Sequence, residues 1–65
     1  MKIIVNGEEA DVTATRLDEV VSELGYGDRQ VATALNMNFV PIAKRGEVEL
    51  CAHDRLEIVT PRQGG

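Results

Sequence analysis

Apolar and polar residues alternate near the start of the chain in a pattern that predicts a β-hairpin. The apolar run KIIV precedes Asn6-Gly7, and the alternating segment EEADVT follows it. The Asn-Gly dipeptide accepts the positive φ angles of a tight turn between two strands. We therefore expect two antiparallel strands within residues 2–13.

Four aliphatic residues repeat at helical spacing in the segment TRLDEVVSELGYG. They stand at i, i+3, i+4 and i+7, which places them on one face of a helix. These residues are Leu17, Val20, Val21 and Leu24. The pattern predicts a helix whose apolar face packs into the core.

The ends of this helix carry capping signals. Thr15 stands where an N-cap is expected, and Asp18, three residues later, lies near the positive end of the helix dipole. Gly25 stands where a left-handed residue commonly ends a helix. The signals agree with the spacing of the aliphatic residues.

The second half of the chain contains short apolar segments separated by polar loops. VATAL predicts a strand, NMN a turn, and FVPI a short extended piece in which Pro41 lacks the N–H donor of a central strand. A polar loop with the solvated pair Lys44-Arg45 then leads to a short strand around Val48 and Leu50. DRLEIVT predicts the final strand. This order indicates an α+β fold, with one main helix packed across a mixed β-sheet.

The inward-facing aliphatic residues of these elements are expected to form one core with the helix face. Its predicted members on strands and loops are Ile3, Val5, Val12, Val31, Leu35, Leu50, Leu56 and Ile58. Phe39 is expected to be partly buried, Cys51 to fill a small apolar gap, and His53 to lie in a polar turn.

The size and charge of the chain exclude several function classes. A chain of 65 residues supports one domain, and a cleft for a nucleotide-sized ligand would consume its core. We therefore expect no catalysis by this chain alone. Seven basic and eleven acidic residues give a net charge of −4, which repels nucleic acid and favours a basic protein surface as partner.

Cysteine, histidine and long apolar runs are scarce. The chain has one Cys and one His, too few for a four-ligand zinc site, and Cys51 cannot form an internal disulfide. The N-terminal apolar stretch is too short for a signal peptide, and no run approaches the roughly 20 residues of a membrane span. We expect a cytoplasmic protein with no metal and no membrane partner.

The ordered set of segments resembles a known family along almost the whole chain. VNGE at the hairpin, LDEVVSEL in the helix, VATALNMNFVP, DRLEIVTP and the terminal GG are similar to the ubiquitin-like β-grasp fold. More closely, they resemble the sulfur carrier protein of thiamine biosynthesis. Two positions depart from that family: His53 replaces a usual Gly before Asp54, and Ile42 replaces a frequent basic residue after VP.

The resemblance implies a carrier whose own C-terminus is the substrate. A ubiquitin-activating-type adenylating enzyme would use ATP and magnesium to adenylate Gly65. A sulfur donor such as a cysteine desulfurase would then convert it to a thiocarboxylate for thiazole synthase. The chain itself would bind no cofactor.

The same resemblance divides the chain into a β-grasp domain over residues 1–60 and a flexible tail over residues 61–65. Gly64, which has no Cβ, would thread into the partner's active site. Arg62, Phe39 and Ile42 are the candidate partner contacts.

Three alternatives remain open at this stage. The chain could carry sulfur for molybdopterin or another pathway. It could be a non-carrier β-grasp interaction module whose final glycines are an incidental frayed end. It could also be a ubiquitin-like protein modifier.

Overall fold

The computed structural model describes residues 1–27 and 29–61. Within these residues the chain forms a five-stranded mixed sheet, with one main helix and a short 3-10 helix. The strands are β1 (Lys2–Val5), β2 (Glu8–Asp11), β3 (Ala32–Leu35), β4 (Asn38–Val40) and β5 (Arg55–Val59). The helix α1 (Leu17–Val21) continues into a π-helical turn (Ser22–Tyr26), and the 3-10 helix spans Ile42–Glu47.

The last strand occupies the middle of the sheet, whose order is β2-β1-β5-β3-β4. β1 pairs with β2 as an antiparallel hairpin and with β5 in parallel. β3 pairs with β4 and with β5, both antiparallel. The prediction of an α+β fold with a mixed sheet and one main helix is therefore confirmed.

Both hairpins turn through two residues with positive φ. Asn6 and Gly7 have φ of 51° and 86°, and Asn36 and Met37 have φ of 50° and 73°. Positive φ at both central positions characterises the type I′ turn, whose twist matches that of the flanking strands. Asn adopts this region more readily than most other residues that carry a Cβ, whereas Met37 adopts it without that advantage.

The core contains α1 and the inner face of the sheet in one cluster. Its buried aliphatic members are Ile3, Val12, Leu17, Val20, Val21, Val31, Val40, Leu50, Leu56 and Ile58. Three residues predicted as core, Val5, Leu24 and Leu35, are only partly buried against it. Val40 joins the cluster unpredicted, because its pairing with Thr33 places it on the inner face.

The helix ends as predicted but begins differently. Gly25 has φ of 97°, the left-handed conformation expected of it. The predicted N-cap Thr15 is wrong: the cap is Arg16, and among the described residues its side chain bonds no helical N–H. Instead, the first helical N–H, that of Leu17, donates to the Val48 carbonyl at 2.9 Å. A tertiary contact thus replaces the local cap.

The same contact explains why the short strand predicted around Val48 and Leu50 is wrong. With the residues that the structure describes, this segment makes only an isolated bridge, in which Glu49 pairs with Arg16. Leu50 N–H donates to the Thr15 carbonyl at 2.8 Å. The segment therefore binds the loop before α1 and does not extend the sheet.

Arg45 was expected in a solvated loop, and that expectation is wrong. Its side chain is only 8% exposed, whereas neighbouring Lys44 is exposed. Arg45 Nε donates to Thr33 Oγ1 at 3.0 Å, and Nη2 donates to the Val31 carbonyl at 2.6 Å. Thr33 Oγ1 in turn donates to the Val40 carbonyl at 2.8 Å. Arg45 thus ties the 3-10 helix to β3 and, through Thr33, to β4.

The turn before β5 contains His53 as predicted, with φ of 71°. Cys51 is exposed, so the expectation that it fills an apolar gap is wrong. The Asp54 carboxylate closes this turn by accepting Cys51 N–H at 2.8 Å.

Candidate functional site

The C-terminal residues of the chain follow β5, which lies at the centre of the sheet. Val59 is the last residue of the strand, and Thr60 and Pro61 follow it as exposed residues. The predicted site residues Arg62, Gly64 and Gly65 lie outside the described residues, as does most of the predicted tail. The described part of the site is therefore the end of β5 and the surfaces beside it.

The side chain of Asn6 holds the end of β5. Ile58 N–H donates to Asn6 Oδ1 at 2.9 Å, and Asn6 Nδ2 donates to the Ile58 carbonyl at 3.2 Å. β1 ends at Val5, whose paired residue is Leu56. The amide of Asn6 therefore continues the ladder by one rung where the backbone of β1 has turned away.

Phe39 lies on the face of the sheet opposite to the core. It pairs with Ala34, which pairs with Glu57 on β5. Residues directly opposite one another on paired strands share a face, and the neighbouring row of Thr33, Val40 and Ile58 is buried. The expectation that Phe39 is partly buried is wrong, because this register leaves it 68% exposed.

The same face continues to the end of β5. Ala32 pairs with Val59, which is 61% exposed. Phe39, Ala34, Ala32 and Val59 are apolar residues on this face, which also carries Glu57, and we call these four residues the outer patch. It brings one predicted contact, Phe39, onto the face that carries the last residue of β5.

Ile42, the other predicted contact in the described residues, lies off the sheet. It begins the 3-10 helix after Pro41 and is 67% exposed. Its exposure makes it available to a partner, but the pairing of the strands does not place it in the outer patch.

Val59 is the patch residue that the sequence analysis missed. The signal was present, because Leu56 and Ile58 were both assigned to the inner face of this strand. Side chains alternate between the faces of a strand, so Val59 had to point outward.

The titratable groups with a shifted pKa lie in the helix and in the loop before it. The pKa of Glu23 is lowered, first by the Ala14 N–H and then by the Thr13 N–H, both of which its carboxylate accepts at 2.9 Å. The pKa of Asp18 is lowered chiefly by its hydrogen bond from Arg16 at 3.1 Å. These carboxylates are already occupied by structural hydrogen bonds.

No group of three or more His, Cys, Asp or Glu residues in residues 1–27 and 29–61 is arranged to hold a metal ion. No helix in the same part of the chain is long and apolar enough to cross a membrane.

The chain is similar to a crystal structure of a thiamine biosynthesis protein from Geobacter metallireducens. The two superpose with a TM-score of 0.81, cover the whole of both chains, and share 22% identity. At this identity the likeness concerns the fold, and it confirms the predicted ubiquitin-like β-grasp.

Sequence comparison adds a relative and a family. The whole chain is 36% identical over 66 residues to a thiazole synthase from Paramagnetospirillum magneticum, of which it covers 20%. The chain therefore spans about one fifth of the length of that relative. The profile of the ThiS family matches residues 3–65. With nearly its full length matched, the chain belongs to the ThiS family.

Proposed function

We propose that this protein is a sulfur carrier of thiamine biosynthesis. The observation that carries the proposal is the family match over residues 3–65, a range that includes Gly64 and Gly65. The chain acts as a protein substrate and sulfur donor, and the chemistry is performed by its partners.

In the proposed reaction, the carboxylate of Gly65 is activated first. A carboxylate is a poor electrophile, so a ubiquitin-activating-type enzyme joins one of its oxygens to the α-phosphorus of ATP, with magnesium, and releases pyrophosphate. The terminal sulfur of a persulfide on a donor such as a cysteine desulfurase then attacks the carbonyl carbon and displaces AMP. A thiol cleaves the resulting acyl disulfide by thiol–disulfide exchange, which supplies the two electrons and takes the donor's other sulfur into a new disulfide. The displaced oxygen leaves with AMP, and Gly65 carries a thiocarboxylate.

Glycine suits both terminal positions of this reaction. Gly64 has no Cβ and can adopt the backbone angles that a narrow channel requires, and the carbonyl of Gly65 is sterically open. From Thr60 to Gly65 an extended chain reaches roughly 20 Å at about 3.3 Å per residue. That length lets the terminus enter a partner's cleft while the β-grasp domain stays outside.

The outer patch is the surface that we assign to partner docking. Its exposed Phe39 and Val59 share a face of the sheet, and Val59 immediately precedes the residues leading to Gly65. Ile42, which lies off the sheet, is a further exposed apolar residue that we assign to partner contact. Arg62 lies close to Gly65 in the sequence, and we propose that its charge steers the terminus electrostatically.

Thiazole synthase is the proposed recipient of the sulfur. A protein named thiazole synthase contains a segment similar to the whole of this chain. Joining two partners in one chain raises their effective concentration, an arrangement favoured when the two act in succession. This relative therefore favours thiazole synthesis over molybdopterin as the destination of the sulfur.

Intact-mass spectrometry tests the proposal directly. The protein is incubated with ATP, magnesium, a sulfur donor and an adenylating enzyme, beside a variant that lacks Gly65. We expect a mass change equal to the exchange of one oxygen for sulfur in the full chain and none in the variant. If several such enzymes produce neither adenylate nor thiocarboxylate, the carrier function is wrong and the interaction module becomes the better hypothesis.

A further inference from the structure

β5 is held near both ends by the turn asparagines of the two hairpins. Asn6 binds both backbone polar groups of Ile58 through its side chain. Asn36 accepts Arg55 N–H through Oδ1 at 3.0 Å and donates its own N–H to the Arg55 carbonyl at 2.8 Å. The two asparagines have nearly the same φ, 51° and 50°.

On the side of β5 that faces β1, the contact between Asn6 and Ile58 is the last one within the described residues. The Asp54 carbonyl accepts Ile4 N–H, and the Leu56 carbonyl accepts Asn6 N–H, both at 2.9 Å. Ile58, two residues further along β5, is the next residue whose backbone groups face this side, and they bond the side chain of Asn6. On the other side of β5, the last pairing is that of Val59 with Ala32. Within the described residues, the chain beyond Val59 makes no further strand pairing.

We propose that Asn6 is a positioning residue for the transfer reaction. Its amide fixes Ile58 and thereby sets the direction in which the chain leaves the sheet towards Gly65. This inference rests on the proposed carrier function. It assigns to the first hairpin a role in presenting the terminus to the adenylating enzyme.

The side chain of Asn6 is better suited to positioning β5 than a residue that only forms the turn would require. Glycine and aspartate also tolerate a φ near 51°. A neutral amide, however, offers a donor and an acceptor together, and Ile58 presents one acceptor and one donor. Asparagine therefore meets both requirements of this position, the left-handed backbone and the two-way hydrogen bond.

Loss of the amide would leave the N–H and carbonyl of Ile58 without their protein partner. The end of β5 would then fray, and the partner would have to order these residues when it binds. Ordering freed backbone on binding lowers affinity, and for the two or so residues concerned we expect about a tenfold loss.

The test compares Asn6→Gly with Asn36→Gly. Both variants remove a turn amide that contacts β5 and keep a residue that accepts positive φ, but Asn36 acts at the end of β5 away from Val59. Three quantities are measured for each folded variant: the unfolding midpoint, the amide hydrogen exchange of β5, and kcat and KM for adenylation with the carrier as varied substrate.

We expect Asn6→Gly to raise KM about tenfold with little change in kcat, and to speed exchange at Ile58 and Val59. Asn36→Gly should speed exchange at Arg55 and keep kcat/KM within about twofold of the parent, even if its unfolding midpoint falls as far. Equal kcat/KM in the two variants, or an Asn6→Gly variant with parental KM, would overturn the proposal.

A second variant covers the case in which Asn6→Gly does not fold. Asn6→Asp keeps the acceptor for Ile58 N–H but places a carboxylate oxygen, which repels the Ile58 carbonyl, where the donor stood. Its KM should therefore also rise, and parental KM would again count against the proposal. The measurements also distinguish failure of the carrier function from failure of the role of Asn6. If the parent protein is not adenylated at all, the carrier function fails, whereas exchange at Ile58 still reports whether the amide holds β5.

Discussion

At the scale of single residues, Glu23 shows how a surface carboxylate can hold a loop against a helix. Its two oxygens accept the N–H groups of Thr13 and Ala14, and Thr13 Oγ1 also donates to it at 3.2 Å. The three contacts connect the π-helical turn to the loop that precedes α1. Sequence could not reveal them, because Glu23 lies nine and ten residues after its partners.

We predict that Glu23→Gln lowers the stability of the fold and flattens its response to acid. The folded-state pKa of Glu23 is depressed below its ordinary 4.5 by the Ala14 and Thr13 N–H groups. Its contribution is therefore fully present above the unfolded-state pKa and is lost as pH falls through the lower, folded-state value. Urea unfolding midpoints measured between neutral pH and about pH 3 check this dependence.

Glu8→Gln is the matched control for that series. Glu8 is an exposed carboxylate, and its side chain makes no hydrogen bond or ion pair with the residues that the structure describes. Its variant should follow the parent curve. If Glu23→Gln also followed the parent curve, the three contacts would contribute nothing to stability.

Arg45 marks the limit of sequence-based prediction for charged residues. Lys44 and Arg45 are adjacent cations in a polar segment, yet one is exposed and the other is buried against β3. The difference arises because the 3-10 helix turns Arg45 inward. The sequence of this helix has no apolar repeat from which it could have been predicted. A buried guanidinium is tolerable here because it donates to Thr33 and to the Val31 carbonyl.

At the scale of the elements, β5 is the strand whose place along the chain and whose alternation of buried residues the sequence predicted best. Alternation in DRLEIVT predicted that Leu56 and Ile58 face the core, and both are buried. Both turns were also predictable from local residues, Asn-Gly as a dipeptide that accepts positive φ and Asn-Met-Asn as a polar turn segment. The segment around Val48 was not, because its partner is the loop before α1, more than thirty residues earlier in the chain.

We predict that Leu56→Ala destabilises the protein by about 2–5 kcal/mol, since it removes a fully buried side chain and leaves a cavity. This is a large share of the stability of a small domain. Chemical denaturation with far-UV circular dichroism measures the change.

The neighbouring residue on the opposite face supplies the control. Glu57→Ala on the outer face should change the free energy of unfolding by no more than about 0.5 kcal/mol. Similar losses at Leu56 and Glu57 would mean that the assignment of the two faces of β5 is wrong.

At the scale of the whole molecule, the two faces of the sheet have different roles. The inner face holds the core with α1, and the outer face presents the apolar outer patch beside the end of β5. The sequence predicted the fold and named Phe39 as a partner contact, but it could not give the strand register. That register places Phe39 and Val59 on one face.

We predict that Phe39→Ser weakens binding to the adenylating enzyme by about 2 kcal/mol, as expected for a large apolar anchor at an interface. The free energy of unfolding should change little, because the ring is mostly exposed. Isothermal titration calorimetry measures the affinity, and thermal unfolding confirms that the fold is retained.

Met37→Ser is the control for exposed apolar area in general. Met37 is 87% exposed at the β3–β4 turn and lies outside the outer patch. Its variant should bind as the parent does. Parental affinity in Phe39→Ser would show that the partner docks elsewhere.

The central position of β5 also determines how the fold bears mechanical load. A partner that pulls on the C-terminal residues pulls along the axis of a strand bonded on both sides, to β1 and to β3. Force in that direction shears the hydrogen bonds of both ladders together, whereas force on an edge strand such as β4 could peel them off one at a time. A partner can therefore pull the C-terminal residues into a narrow site while the sheet of the domain stays closed.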